Sequence, residues 1–147
     1  MYNICYRIVN DEEEARDVLQ EAFIKAFQNL QTFRGESTFG AWLKKIVINQ
    51  AINSLRKQKL MYEPLEEIEY RDDTVNIDDD NLILNVERVK NAVQQLPDGF
   101  RTVFTLYLIE GYDHSEIGQI LGISESTSKT QYIRARNKLK ELLKERI

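Results

Sequence analysis

The sequence predicts an all-α protein of two small helical domains joined by a flexible acidic linker, approximately residues 1–60, 61–83 and 84–147. Three observations predict it. Apolar residues in the first block recur at three- and four-residue spacing, the last block contains two capped helices around a tight turn, and acids crowd into the segment between them. From Tyr62 to Glu87 there are ten acids and one base, Arg71, together with Pro64 and the run Asp78-Asp79-Asp80. Everything else carries nineteen bases against fourteen acids, a formal +5, so the chain's net −4 belongs to the linker. Such a run is a solvated connector or, in the rarer alternative, a mimic of nucleic acid that occupies a basic channel or masks a DNA-binding face.

The first block opens with Cys5 among Tyr2, Ile4, Tyr6 and Ile8, which reads as a core position. From Asp11 to Leu30, Ala15, Val18, Leu19, Ala22, Phe23, Ala26, Phe27 and Leu30 form a continuous helical stripe. The acids Asp11 to Glu14 fall in its first turn, where the helix dipole favours them. Asp17, Gln20, Glu21 and Ile24 make a second stripe beside it, either a solvated face or a surface that a partner protein grips. The segment Gln31 to Ser37 breaks the pattern: Gly35 permits a tight bend and Ser37 is the expected cap of the next helix. That second helix is expected from Thr38 to Lys59, burying Phe39, Trp42, Leu43, Ile46, Val47, Ala51 and Leu55. Its other side would display Lys45, Asn49, Ile52, Asn53 and Arg56. Lys44 to Lys59 holds five bases and no acid, and its asparagines supply donors and acceptors suited to base edges, although a face of this kind taken alone is more often solvated surface than a reading head.

In the last block, Asp113 followed three residues on by Glu116 is a capping-box pattern, with Ile117, Ile120 and Leu121 facing a core. Gly122 suits the left-handed end of that helix and Ser124 the cap of the next, leaving a turn of about three residues as a helix-turn-helix requires. On the second helix Ser128, Tyr132, Ala135, Leu139 and Leu142 share an inward stripe, and Lys129, Thr130, Ile133, Arg134 and Asn137 face out. Between Ser126 and Lys140 lie five bases and no acid. A major groove admits a helix of this kind, with N-terminal side chains at base edges and later cations at phosphates. Two cationic helices in two blocks therefore describe a clamp that touches DNA at two places.

Composition excludes several classes. One cysteine allows neither an intramolecular disulfide nor a cysteine-rich metal site, so a reducing cytoplasm is the expected compartment and no metal or cofactor is expected. The lone His114 has no partner histidine or cysteine in sequence, and a surface or capping place is expected for it. No apolar run reaches membrane-spanning length and no export signal opens the chain, so membrane insertion is not expected.

The runs Asp11-Glu-Glu-Glu-Ala-Arg-Asp17-Val-Leu-Gln20-Glu21-Ala-Phe23, Phe33-Arg-Gly-Glu-Ser37 and Trp42-Leu-Lys-Lys-Ile-Val-Ile-Asn49-Gln-Ala-Ile-Asn53 resemble region 2 of bacterial extracytoplasmic-function sigma factors. The run from Leu96-Pro-Asp-Gly-Phe-Arg101 to Arg136-Asn-Lys-Leu139 resembles their region 4. The resemblance implies a transcription initiation factor that binds core RNA polymerase, recognises and helps melt the minus-ten element through region 2, and reads the minus-thirty-five element through region 4. It implies polymerase contacts at Asp17, Gln20, Glu21 and Phe23. For the minus-ten element it implies a loop around a flipped base with Phe33, Arg34, Ser37 and Thr38, beside a helix with Lys45, Asn49, Asn53 and Arg56. For the minus-thirty-five element it implies Ser126, Thr127, Lys129, Thr130, Ile133 and Arg134, with Arg136 and Lys138 at phosphates. No catalytic residue and no small-molecule substrate are implied, and an anti-sigma factor is a common partner in the family.

Three departures accompany the resemblance. Relatives carry further helical sequence before the position of Tyr2, so the chain is expected to begin inside region 2. Position 128 is Ser where relatives tend to carry a small aliphatic residue, which predicts a looser recognition helix. The linker is acidic rather than neutral, which suits a path through a basic RNA exit channel. Two other classes fit parts of the sequence: a stand-alone DNA-binding regulator, which would have to dimerise, and a protein-interaction adaptor, which leaves both cationic helices unexplained.

Overall fold

The computed structural model describes residues 1–59 and 86–144, and every regular element among them is helical. The chain divides into two compact units, one built from the first three helices and the other from the last four. The expected linker over 61–83 lies outside the described residues.

The first unit contains α1 (Tyr2–Val9), α2 (Glu12–Gln28), a 3-10 turn (Leu30–Thr32) and α3 (Phe39–Lys59). Asn10 ends α1 in the left-handed conformation at φ 56°, and the Asp11 side chain caps α2 by accepting from the Glu14 amide at 2.9 Å. The two helices are thus joined by two residues. All three helices pack on one another around Cys5, Ile8, Val18, Val47 and Ile48, each almost wholly buried. Burying one such aliphatic side chain stabilises the unit by about 1.5–3 kcal/mol before entropy is counted. Cys5 is a core residue, and burial raises its thiol to about 11, so it stays protonated and unreactive near neutral pH.

Three sequence expectations fail in this unit. On α2 only Ala15, Val18, Ala22 and Ala26 are buried; Phe23, Phe27 and Leu30 are exposed, Phe27 to 75%. The buried stripe of α2 is narrow, three alanines and a valine, and the phenylalanines lie on its flank outside that stripe. On α3, Phe39 is exposed, whereas Ile52, expected on the displayed face, is 4% exposed. This helix has two neighbours, α1 and α2, and therefore buries a wider arc than the single stripe expected of it. The cap of α3 is also one residue later than expected: Thr38 Oγ1, not Ser37, accepts from the Ala41 amide at 3.2 Å.

The second unit contains α4 (Val86–Gln94), α5 (Asp98–Phe104), a π turn (Thr105–Ile109), α6 (His114–Leu121) and α7 (Glu125–Lys144). Ala92, Val93 and Leu96 meet Phe104, Ala135 and Leu139 in its core. Arg101 is 1% exposed beneath the α4–α5 turn. Its guanidinium donates to the Leu96 carbonyl at 3.0 Å and to the Asp98 carboxylate at 2.6 Å. A buried cation held by a carbonyl and a carboxylate fixes that turn, since guanidinium donors left unpaired there would be costly.

Candidate nucleic-acid interface

In the first unit Asp17, Gln20, Glu21 and Phe23 all reach solvent on α2, and Ile24 and Phe27 extend the same exposed side. The Glu21 carboxylate does not stand alone. Gln50 of α3 donates to it through Nε2 at 2.6 Å and accepts from Lys25 Nζ through Oε1 at 2.6 Å. Four residues along α3, the Ser54 hydroxyl donates to the Glu14 carboxylate.

At the other end of α2 the chain turns through Gly35, at φ 73°, into α3. Phe33, Phe39 and Trp42 form a triangle of rings with centroids 5.5–5.7 Å apart. Arg34, Ser37 and Thr38 are exposed beside the half-buried Phe33, so apolar faces and polar groups share one loop. Lys45, Asn49, Asn53 and Arg56 are exposed along α3. Stacking surface, amide donors and acceptors, and cations are what an unstacked base and its phosphates require.

In the second unit the Asp113 carboxylate accepts from the Glu116 amide at 2.8 Å and the Glu116 carboxylate from the Asp113 amide at 3.2 Å, a complete capping box. Gly122 ends α6 at φ 69°, and Ser124 Oγ accepts from the Thr127 amide at 3.0 Å to start α7. These local bonds set a helix-turn-helix.

On α7, Ser128, Ala135 and Leu139 are buried, with Tyr132 and Leu142 partly so, as the inward stripe requires. Ser126, Thr127 and Lys129 are exposed, while Thr130, Ile133, Arg134, Arg136 and Asn137 are half-buried. Lys129 lies 3.5 Å from Glu125 and Lys138 lies 3.3 Å from Glu141, both exposed pairs that a phosphate can displace at small cost.

Ser128, where the sequence predicted a looser recognition helix, has a polar partner. It is wholly buried, and its hydroxyl is 2.8 Å from His114 Nδ1. His114 is correspondingly no plain surface residue: its ring stacks on Tyr107 at 4.3 Å and 11°, with Tyr132 tilted across the pair. Removal from water lowers its pKa below the ordinary histidine value, Lys129 lowers it further, and Glu125 and Asp113 oppose.

Residues 1–60 match the family model of Sigma-70 region 2, and residues 87–139 match that of Sigma-70, region 4. The ECF RNA polymerase sigma factor SigW of Bacillus subtilis is 32% identical over 157 residues, covering 99% of this chain and 83% of that one. The RNA polymerase sigma-H factor of Pseudomonas aeruginosa is 32% identical over 153 residues, covering 95% and 78%. The chain belongs to the ECF sigma factors. Its fold is that of the sigma factor RpoE, co-crystallised with the anti-sigma factor NepR from Bartonella quintana, with a TM-score of 0.67 at 24% identity over 97% of this chain and 89% of that one. This sigma factor is thus a promoter-specific transcription initiation factor, a regulatory protein that carries both region 2 and region 4.

Within the sigma factor, the structure adds residues that sequence reasoning passed over. Gln50 and Ser54 are polar groups inside the bundle, which a periodicity argument that sorts residues by polarity assigns outward, and the His114–Ser128 bond is a pairing that the inward place of Ser128 did not by itself announce. The only signal for Gln50 and Ser54 was their four-residue spacing on the side that also carries Val47 and Leu43.

Proposed function

We propose that residues 1–60 act as region 2, binding core RNA polymerase through Asp17, Gln20, Glu21 and Phe23. The same domain engages and helps melt the minus-ten element. Phe33, Arg34, Ser37 and Thr38 receive an extruded base, and Lys45, Asn49, Asn53 and Arg56 hold the strand beside it. Extrusion costs a few kcal/mol, which stacking and hydrogen bonds to the exposed base edge offset. Residues 84–147 act as region 4. Ser126, Thr127, Lys129, Thr130, Ile133 and Arg134 read the minus-thirty-five element, and Arg136 and Lys138 meet phosphates. Residues 61–83 connect the two at a span one promoter sets, which raises the effective concentration of the second contact once the first is made.

The observation that carries this reading is a run of cations on one helix of each unit, exposed at Lys45 and Arg56 on α3 and at Lys129 and Lys138 on α7. An anti-sigma partner is supported by RpoE, whose structure holds the anti-sigma factor NepR. The cytoplasm is the proposed compartment, in keeping with a single buried thiol and with no described helix long and apolar enough to cross a membrane.

Gel filtration with purified core RNA polymerase, followed by transcription from a promoter library, tests the whole. Co-elution and transcription from a discrete promoter subset are expected. A chain that stays apart from polymerase yet binds duplex DNA as a dimer would be a stand-alone regulator instead.

A further inference from the structure

Gln50 is 6% exposed on α3, an uncommon place for an amide, and its side chain is used at both ends. Its Nε2 donates to Glu21 Oε2 and its Oε1 accepts from Lys25 Nζ, each at 2.6 Å. Chemistry alone dictates that orientation, since a carboxylate needs a donor and an ammonium an acceptor. Both partners sit on α2, four residues apart and so on one side of it, and both bonds are charge-assisted and short. Glu21 itself is exposed. An exposed glutamate ordinarily samples many rotamers, and ordering it on binding costs free energy. Here one amide from the neighbouring helix has already restricted it.

We propose that Gln50 is a positioning residue for RNA polymerase: without touching polymerase, it holds the Glu21 carboxylate in one orientation for the partner and keeps Lys25 from folding over it. Lys25, four residues after Glu21, is spaced to pair with it directly. The Gln50 carbonyl gives the ammonium another acceptor and leaves one carboxylate oxygen of Glu21 for a partner. Ser54, bonded to Glu14 one turn along the same α2–α3 seam, keeps the two helices in register. Since α3 also carries Asn49 and Asn53, the residue that orders the polymerase contact lies on the helix assigned to the minus-ten strand. The inference rests on the reading of α2 as the polymerase contact.

The test is a double-mutant cycle in the full chain, with affinity for core RNA polymerase and thermal unfolding both measured. Gln50→Met keeps the length and loses both hydrogen bonds; it is expected to weaken polymerase binding about tenfold, the worth of one positioned charge-assisted bond. Its melting temperature is expected to stay within a few degrees of the parent, because an apolar side chain suits a buried seam. Glu21→Ala is expected to weaken binding at least as much, and the double variant no further than Glu21→Ala alone. Gln50→Asn keeps an amide too short to span both partners, and it is expected to reproduce the Met result should that variant fold poorly. Additive losses, or a Gln50→Met variant that binds like the parent while Glu21→Ala does not, would overturn the positioning role and leave the α2 contact standing. If Glu21→Ala itself binds like the parent, the α2 contact is wrong and the positioning role falls with it.

Discussion

His114 at the start of α6 and Ser128 in the second turn of α7 are joined by a 2.8 Å hydrogen bond across the helix-turn-helix, beside the rings of Tyr107 and Tyr132. The bond ties the supporting helix to the reading helix at the residue between Thr127 and Lys129. A neutral imidazole can accept from, or donate to, the serine hydroxyl through Nδ1, whereas an imidazolium can only donate. Protonation would also place a cation at a helix N-terminus and near Lys129, both unfavourable.

That geometry predicts an acid-sensitive region 4. The folded-state pKa of His114 is lowered, chiefly by desolvation, so below the ordinary value of 6.5 the unfolded chain binds the proton more readily than the folded one. Stability is therefore expected to fall as pH drops through 6.5 toward the folded value, and to be independent of this group above it. Urea midpoints for the parent and for His114→Gln, compared at about pH 7.5 and about pH 5.5, check it. The parent should lose more over that interval than the variant; equal losses would remove His114 as the source.

Asp98→Ala is expected to destabilise the second unit by about 2 kcal/mol, below the usual cost of orphaning a buried ion because Asp98 is itself 40% exposed and Leu96 still accepts from Arg101. Asp98→Asn, which keeps an acceptor, should cost less. Denaturant unfolding of both variants gives the order, and a reversed order would show that an acceptor at position 98 is not what holds Arg101.

Phe33→Ala removes the ring that touches both Phe39 and Trp42. Affinity of the sigma factor–polymerase complex for single-stranded minus-ten DNA is expected to fall by the worth of one stacked base, about 1–3 kcal/mol. Duplex minus-thirty-five binding should not change, and a variant that weakens both equally would mean the ring supports the fold rather than the base.

Arg134 and Lys138, one turn apart on α7, should fail differently. Arg134→Ala is expected to relax base preference at one position of the minus-thirty-five element, at about 1–3 kcal/mol of discrimination. Lys138→Ala, after losing only a pairing with Glu141, should weaken all sequences alike and flatten the salt dependence. Promoter libraries read at two salt concentrations separate the two, and an unchanged base preference in Arg134→Ala would mean that α7 docks through phosphates alone.

Much of this molecule was legible without coordinates wherever the physics is local. The Asp113–Glu116 capping box, the left-handed Gly122, the Ser124 cap and the three-and-four spacing of Ser128, Tyr132, Ala135 and Leu139 each depend on residues within about one turn of each other. All of them are present in the folded chain. The two cationic faces were legible for the same reason: charge is read residue by residue.

What the sequence left open depended on which helix lies against which. Ile52 is buried because α3 meets two neighbours, and Phe27 is exposed because it lies outside the narrow alanine-rich stripe that α2 turns to its neighbours. Neither fact is written in the periodicity of one helix. Gln50 and Ser54 are polar by composition and buried by packing, each kept there by partners 25, 29 or 40 residues away in sequence. Local patterns therefore determined the helices, their caps and their charged faces. Only the tertiary structure decided which polar groups are sheltered from water, because a buried hydrogen bond is stable or costly according to a partner that the chain supplies from another helix.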